Sequence, residues 1–487
     1  MKKTARVRYL YVSMVLTMLL CLVMACGDST PTTAGTGSTK AGSPAAAAAN
    51  TPKPTATTLA LQVGSTSAKV NLTYMTWGGD SDKTRRFKEN QAAYPEFADY
   101  SMRLLAQGGD ADVASFLRLA LTSGKDIPDI LQLNRTQLAE FAESGELTDL
   151  TSVMEPFKAD LTAGALNIAT YNGKFFAFPN QVNSKIWYYR ADLFEQAGIN
   201  VNNIKTLADL ISAGKTLNAK FPKSYIFNIS SQLWASYLPM FLSAYPDIRM
   251  ANDNGEYQLT KHPGFAEVLK MFKDLKDSGV AAPIDDWSND WQQAFKDETI
   301  VSAFSASWMA TFLPTFAPNQ SGKWKATLWP SGLTSADQRY GAEGGGSVTV
   351  VPKRAPHAKE AIAYLTKNYL NKQTPVKDYQ NGGVTPYLKS AQSDVLNFIN
   401  GATKPADLAE EKWLQRPYVF FGKEFQPLVF QSFDYVKAFN YDPAAAKELE
   451  IFSQWARKYI NGQVPLNDAL AGAQSDMQSQ IGNPYQK

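Results

Sequence analysis

The chain has 487 residues, more than one hydrophobic core usually organises, and 44% of them are hydrophobic, which predicts a globular protein of two lobes or domains. Its 48 basic and 45 acidic residues give a formal charge of +3, but Lys2, Lys3, Arg6 and Arg8 all precede position 26, where no acid occurs, leaving 44 against 45 for the remainder. A near-neutral body without a run of Lys and Arg has no electrostatic means of gripping nucleic acid, and that class is excluded.

The basic stretch ending at Arg8 is followed by an uncharged apolar run from Tyr9 to Ala25, which reads as an export signal too short to be a comfortable membrane span. The run ends Leu22-Val23-Met24-Ala25-Cys26-Gly27, which resembles the lipobox of bacterial lipoproteins, with Met24 departing from the small residue usual there. Cleavage after Ala25 would leave Cys26 as the lipid attachment site, and two acyl chains would anchor stably where one would be marginal. The other cysteine, Cys21, lies inside the leader, so the mature chain has no internal disulfide, no Cys nucleophile and no Cys-held metal. Residues 26–67 are almost wholly Ser, Thr, Ala, Gly and Pro, as in Thr51-Pro52-Lys53-Pro54-Thr55, and read as a disordered tether.

The folded part is expected to begin with a strand over Lys69–Trp77, broken by Gly78-Gly79. A helix follows over Ser81–Tyr94, then Arg103-Leu104-Leu105, a helix over Ala111–Leu121 and the strand Ile130-Leu131-Gln132-Leu133. This alternation predicts an α/β fold with a largely parallel sheet. Thr206 and Asp209 form a variant capping box opening a helix whose inner face is Leu207, Leu210, Ile211, Gly214 and Leu217. Two further helices are predicted, Pro263–Ser278 with Phe265, Val268, Leu269 and Phe272 inward, and Ala358–Leu370 with Ala361, Ile362, Leu365 and Tyr369 on one side.

The order of landmarks resembles the extracellular solute-binding proteins that serve ABC-type sugar importers, the family 1, maltodextrin- and multiple-sugar-binding type. The resemblance lies in Pro128-Asp129-Ile130, the segment Ala139–Leu150, Tyr171–Pro179 leading into Ile186–Ile199, Phe295–Trp308, Gly344–Pro352 and Gly382-Gly383-Val384-Thr385-Pro386. Lys296–Val301 departs from the glycine and methionine frequent in the family. The resemblance implies a periplasmic-binding-protein-like fold, type II, of two discontinuous α/β lobes that close by a hinge over a ligand cleft. Crossings would fall near Gln181–Ser184, near Tyr340–Gly346 and around Ser390–Leu396. Lobe I is then 68–181 with 343–395, and lobe II is 182–342 with 396–487. The partners implied are a carbohydrate and the permease subunits of the importer, with the protein monomeric, extracytoplasmic and held to the cell membrane by its lipid; no cofactor is implied.

A sugar site needs aromatic planes for the apolar faces of the ring and carboxylates or amides for its hydroxyls. Trp77 and Asp80 close the first strand, where ligands of open α/β sheets sit, against the alternative of a surface turn capped by Asp80. Asn134 closes the strand at Leu133 in the same manner, or else caps the helix at Thr136. Asn183 lies at the first crossing, where the maltodextrin-binding branch carries a carboxylate. Trp308 matches the family's cleft tryptophan. Glu343, with Gly345 in the run Gly344–Gly346, sits at the second crossing, where glycines let backbone N–H groups approach a ligand or serve only as a flexible hinge. Trp234 completes the ligand-binding set, though it, Trp291 and Tyr237 lie at helical spacing where an aromatic more often serves a core, and Phe420-Phe421-Gly422 stands behind them.

No His-Glu-x-x-His helix, Gly-x-Ser-x-Gly elbow or phosphate-binding Gly-x-x-x-x-Gly-Lys occurs, and the protein is expected not to be an enzyme. His262 and His357 read as solvated turn residues beside prolines, and Asp285-Asp286 and Glu410-Glu411 as exposed charges. The alternatives are a cell-surface glycoside hydrolase, since carboxylate pairs are abundant, or a receptor for polyamine, iron or a phosphorylated polyol.

Overall fold

The computed structural model describes residues 59–77, 81–230, 237–341, 346–383, 385–437, 439 and 441–486. Contacts divide the chain into Met1–Lys53, outside the described residues, and Pro54–Lys487, to which everything below refers.

Six strands form the larger sheet: β1 (Leu59–Val63), β2 (Val70–Trp77), β3 (Tyr100–Gln107), β4 (Ile130–Asn134), β5 (Phe178–Gln181) and, late in the chain, Ser347–Val350. The smaller sheet has β6 (Lys185–Arg190), β7 (Ser302–Ala306) and β8 (Trp324–Thr327), and the late strand is β9. Their orders are β1-β3-β2-β4-β9-β5 and β7-β6-β8. Beside the antiparallel hairpin Thr170-Tyr171/Lys174-Phe175, the short strands Phe227-Asn228 and Ala281-Ala282 pair in parallel.

Two expectations are corrected. The tether does not reach residue 67, because Leu59–Val63 pairs antiparallel along β3 as the edge strand, with Val63 buried. That five-residue stretch, Leu-Ala-Leu-Gln-Val, has enough apolar surface to join the sheet, whereas the Ser/Thr/Pro composition before it does not. The larger sheet is also mixed: β2 runs parallel to β3 and β4, but β9 lies antiparallel to both β4 and β5. The smaller sheet is wholly antiparallel.

The helices form where periodicity places them. Thr206 and Asp209 make the reciprocal capping box of helix Leu207–Lys220, in which Leu210, Gly214 and Leu217 are buried and Leu207 and Ile211 lie at the margin. Helix Pro263–Asp277 buries Phe265, Val268, Leu269 and Phe272. Helix Ala358–Tyr369 buries Tyr364 rather than Ile362 beside Ala361, Leu365 and Tyr369. No helix among the described residues is long and apolar enough to cross a membrane.

Strand β6 divides its side chains between two cores with the alternation a strand requires: Ile186 and Tyr188 join the core of the larger sheet, Trp187 the core of the later helices. The chain passes between sheets at Val182–Ser184, linking β5 to β6, and returns between β8 and β9. Buried Lys185 ties the two passages, donating from Nζ to the Tyr340 carbonyl at 2.7 Å and the Gln338 carbonyl at 3.4 Å. Late in the chain, core membership switches between Val436 and Phe439, and Tyr435 O there accepts from Gly341 N at 3.1 Å. The stretch around Ser390–Leu396, where a third crossing and the 395/396 lobe boundary were expected, belongs to the unbroken helix Lys389–Gly401.

Candidate functional site

Antiparallel pairing builds the site. Because Ala306 at the end of β7 lies opposite Lys185 at the start of β6, the residues just before β6 and just after β7 must be neighbours. Ser307 N donates to the Ser184 carbonyl at 2.9 Å, Ser184 N donates to Ser307 Oγ at 3.3 Å, and Ser307 Oγ donates to Asn183 Oδ1 at 3.0 Å. Asn183 and Ser307 are buried there, and Trp308 opens the helix Met309–Phe316.

Asn183, Ser307, Trp308 and Thr311 line one small pocket together with Tyr379, Thr385, Phe425 and Gln426. Trp308 also lines a second cavity with Asn228, Tyr237, Asp286, Trp287, Trp291, Phe304 and Ser305. Trp287 stacks on Trp308 with centroids 5.2 Å apart and planes at 29°, and it meets Trp291 and Phe312 at 5.3 Å each. Trp287 is 49% exposed and Phe312 36%, two of the three large hydrophobic residues left open to solvent among the described residues. Trp287 has φ of 66°, a backbone state that bulky side chains rarely adopt and that recurs where a ligand must be met.

The second cavity carries the charge. Asp286 accepts from Asn228 Nδ2 at 2.8 Å, and the Tyr237 hydroxyl donates to Asn228 Oδ1 at 2.9 Å. Burial pushes the Asp286 carboxyl up to about 6, with Asp285 adding to the rise and Asn228 and Tyr237 opposing it. Asp285 accepts from Ser230 Oγ at 3.2 Å. Asp285-Asp286 is therefore not the exposed charge pair its sequence suggested: the chain turns the second carboxyl inward among indoles. His262 departs from a solvated turn in a smaller way, its Nδ1 capping helix Pro263–Asp277 by accepting from Gly264 N at 3.1 Å.

Of the residues expected at a site, Asn183 and Trp308 come together in one cavity. Trp77 sits half-buried at the end of β2, packed against the core of the larger sheet, and lines neither cavity. The Asn134 carboxamide is taken up as a helix cap, its oxygen accepting from Thr136 N at 3.1 Å in a capping box with Gln137, and it also bonds the Asp110 carboxyl. Tyr237 and Trp291 are buried as a core reading implies, yet both line the second cavity. Phe420 and Phe421 are core, and the late segment reaches the first cavity through Phe425 and Gln426 instead. Cys26, Asp80, Trp234, Glu343 and Gly345 lie outside the described residues. Sequence reasoning missed Trp287, Asp286, Asn228 and Gln426. The tripeptide Asp285-Asp286-Trp287 was the available signal, acids beside an aromatic in a loop.

Residues 85–398 match the family model described as bacterial extracellular solute-binding protein. The chain belongs to that family. Among the relatives of this solute-binding protein are the arabinooligosaccharide-binding proteins of Bacillus subtilis, 23% identical over 310 residues, and of Halalkalibacterium halodurans, 25% identical over 280 residues. The alignments cover 61% and 55% of this chain and 69% and 61% of those relatives. The fold is shared with the ABC-transporter-associated binding protein from B. animalis subsp. lactis, solved in complex with beta-1,6-galactobiose, at a TM-score of 0.67 and 22% identity over 85% of this chain and 98% of that one. The architecture is thus periplasmic-binding-protein-like, mixed α/β without a closed barrel.

Proposed function

We propose that this solute-binding protein captures a carbohydrate and delivers it to the permease of an ABC importer, doing no covalent chemistry itself. The observation that carries the reading is Trp308, a platform shared by two cavities that each set polar groups beside aromatic faces, Asn183 and Gln426 in one, Asn228 and Asp286 in the other. Stacked aromatics supply what the C–H face of a pyranose needs, and buried amides and carboxylates supply what its hydroxyls need. Relatives named for arabinooligosaccharides and a structural neighbour holding galactobiose support the same class of ligand. Retention at the membrane by lipid on Cys26, and closure over the sugar by bending at the passages between the sheets, complete the proposal.

Calorimetric titration with arabinobiose, lactose, β-1,6-galactobiose and maltose tests capture. At least one sugar should bind, Trp308→Ala should weaken it about tenfold through loss of stacking of the order of 1.4 kcal/mol, and no product should form. Absence of binding to all four, or hydrolysis abolished by changing one carboxylate, defeats the reading. Cys26→Ser should move the protein from the membrane to the soluble fraction, and scattering should show a more compact particle with sugar than without.

A further inference from the structure

The Asp286 cavity contains two polar groups whose capacity the protein does not use up. Trp291 is 4% exposed, its ring meeting Phe295 at 5.2 Å and Phe316 at 5.5 Å, and no group among the described residues accepts from its indole N–H. A buried donor without a partner costs about 1–3 kcal/mol, so an acceptor arriving with a ligand recovers that much. Asp286, on the same cavity, takes Asn228 Nδ2 at 2.8 Å and is faced by Tyr237 and Asp285. A carboxylate has about four acceptor positions, more than these donors fill. Among the described residues no Lys or Arg lines this cavity, so nothing basic competes for the carboxylate there.

We propose that Asp286 and Trp291 are the specificity-determining pair of the second cavity, Asp286 accepting from and Trp291 donating to the hydroxyls on one edge of a sugar ring stacked on the Trp287–Trp308 platform. The assignment rests on the carbohydrate reading above and adds to it which groups choose among carbohydrates. Aromatic faces tolerate any ring with an apolar C–H surface, and so discriminate weakly. A buried donor and acceptor set for hydroxyls reject a ring that lacks them, because both protein groups are then left unpaired. The ligand class is accordingly a sugar with free hydroxyls on the edge facing Asp286, and a deoxygenated counterpart is excluded. The pair is also separable by substitution: Phe at 291 retains the packing against Phe295 and Phe316 without the donor, and Asn at 286 retains the shape without the charge.

The test uses the mature protein, the four sugars named above and the monodeoxy derivatives of whichever disaccharide binds tightest. Trp291→Phe and Asp286→Asn should each weaken that disaccharide about tenfold, the size of one or two lost hydrogen bonds to a buried group. One monodeoxy derivative should lose tenfold or more on the wild type and only about twofold on the variant that lacks the partner of the missing hydroxyl. The inference is overturned if both variants bind like wild type, or if every monodeoxy derivative loses as much on both variants as on the wild type. If wild type binds none of the four sugars, capture itself is refuted and this assignment with it, an outcome distinct from the other two.

Discussion

Glu448, in helix Ala445–Ile460, is fully buried, and among the described residues no well-formed hydrogen bond reaches its carboxyl oxygens. The groups that face it are the buried Asp442 carboxyl and the Tyr257 hydroxyl. Burial first, and the Asp442 carboxyl second, hold the Glu448 proton on well above the usual carboxylate range. Asp442 is raised too, again mainly by burial. In the unfolded chain Glu448 ionises at about 4.3. Below that pH both states are protonated and the group costs nothing. Above it the folded state binds one more proton than the unfolded, so stability falls by about 1.4 kcal/mol for each pH unit until the folded-state pKa is passed. Glu448→Gln keeps the volume, puts an N–H beside the Asp442 carboxyl and takes up no proton. Urea unfolding of both proteins from pH 4.5 to 8 should show curves that coincide at the acid end and separate with that slope, the variant the more stable. Parallel curves across the range would refute the reasoning.

Asp378 is buried between two guanidiniums, bonding Arg86 Nη2 at 2.5 Å and also Arg85. Asp378→Asn leaves two cations facing an amide and should cost about 3–5 kcal/mol in urea unfolding. A Cβ on Gly214 would sit 2.6 Å from Val280 Cβ and 2.7 Å from Ile226 Cγ2, so Gly214→Ala should destabilise by about 1–3 kcal/mol despite the better helix former. Burial lowers the Lys185 ammonium well below its ordinary range, so the unfolded chain binds the extra proton and wild-type stability should rise with pH toward about 10.4. Lys185→Met should abolish that rise and cost about 1–3 kcal/mol from the carbonyls of Tyr340 and Gln338 it leaves unmet, both read from unfolding between pH 7 and 10.

Local chemistry was legible where a few adjacent residues decide the outcome. Thr206 with Asp209 announces a helix start because the two side chains satisfy each other's backbone donors, and Asn172-Gly173 has positive φ at both residues, as a two-residue hairpin turn between Tyr171 and Lys174 requires. What needed distant partners was not legible. Edge strand Leu59–Val63 has meaning only once β3 offers it a row of donors and acceptors, and β9 runs antiparallel because of where the chain re-enters the larger sheet, which no local periodicity records. The acids at 285 and 286 failed for a related reason. Adjacent carboxylates normally point to water, and only the placement of Asn228 and Tyr237, brought from a different part of the chain, makes an inward carboxyl tolerable. Trp287 gives no periodic signal because it lies in a loop with positive φ, and its role follows from Trp308 lying beneath it.

The pairing of β6 with β7 has a consequence for how the two cavities must behave. Asn183 and Ser184 belong to the passage out of the larger sheet, Ser307 follows β7, and three hydrogen bonds fasten these three residues together, with Trp308 next along the chain at the cap of helix Met309–Phe316. Buried bonds of this kind do not stretch to follow a motion; they transmit it or break. If the proposed closure bends the chain near Val182, these bonds carry the motion to Ser307 and so to its neighbour Trp308, the wall common to both cavities. Under the proposed function, a sugar stacked there and a bend in the passage would act on neighbouring residues, and the ligand would shift the passage only by its differential affinity for the two settings.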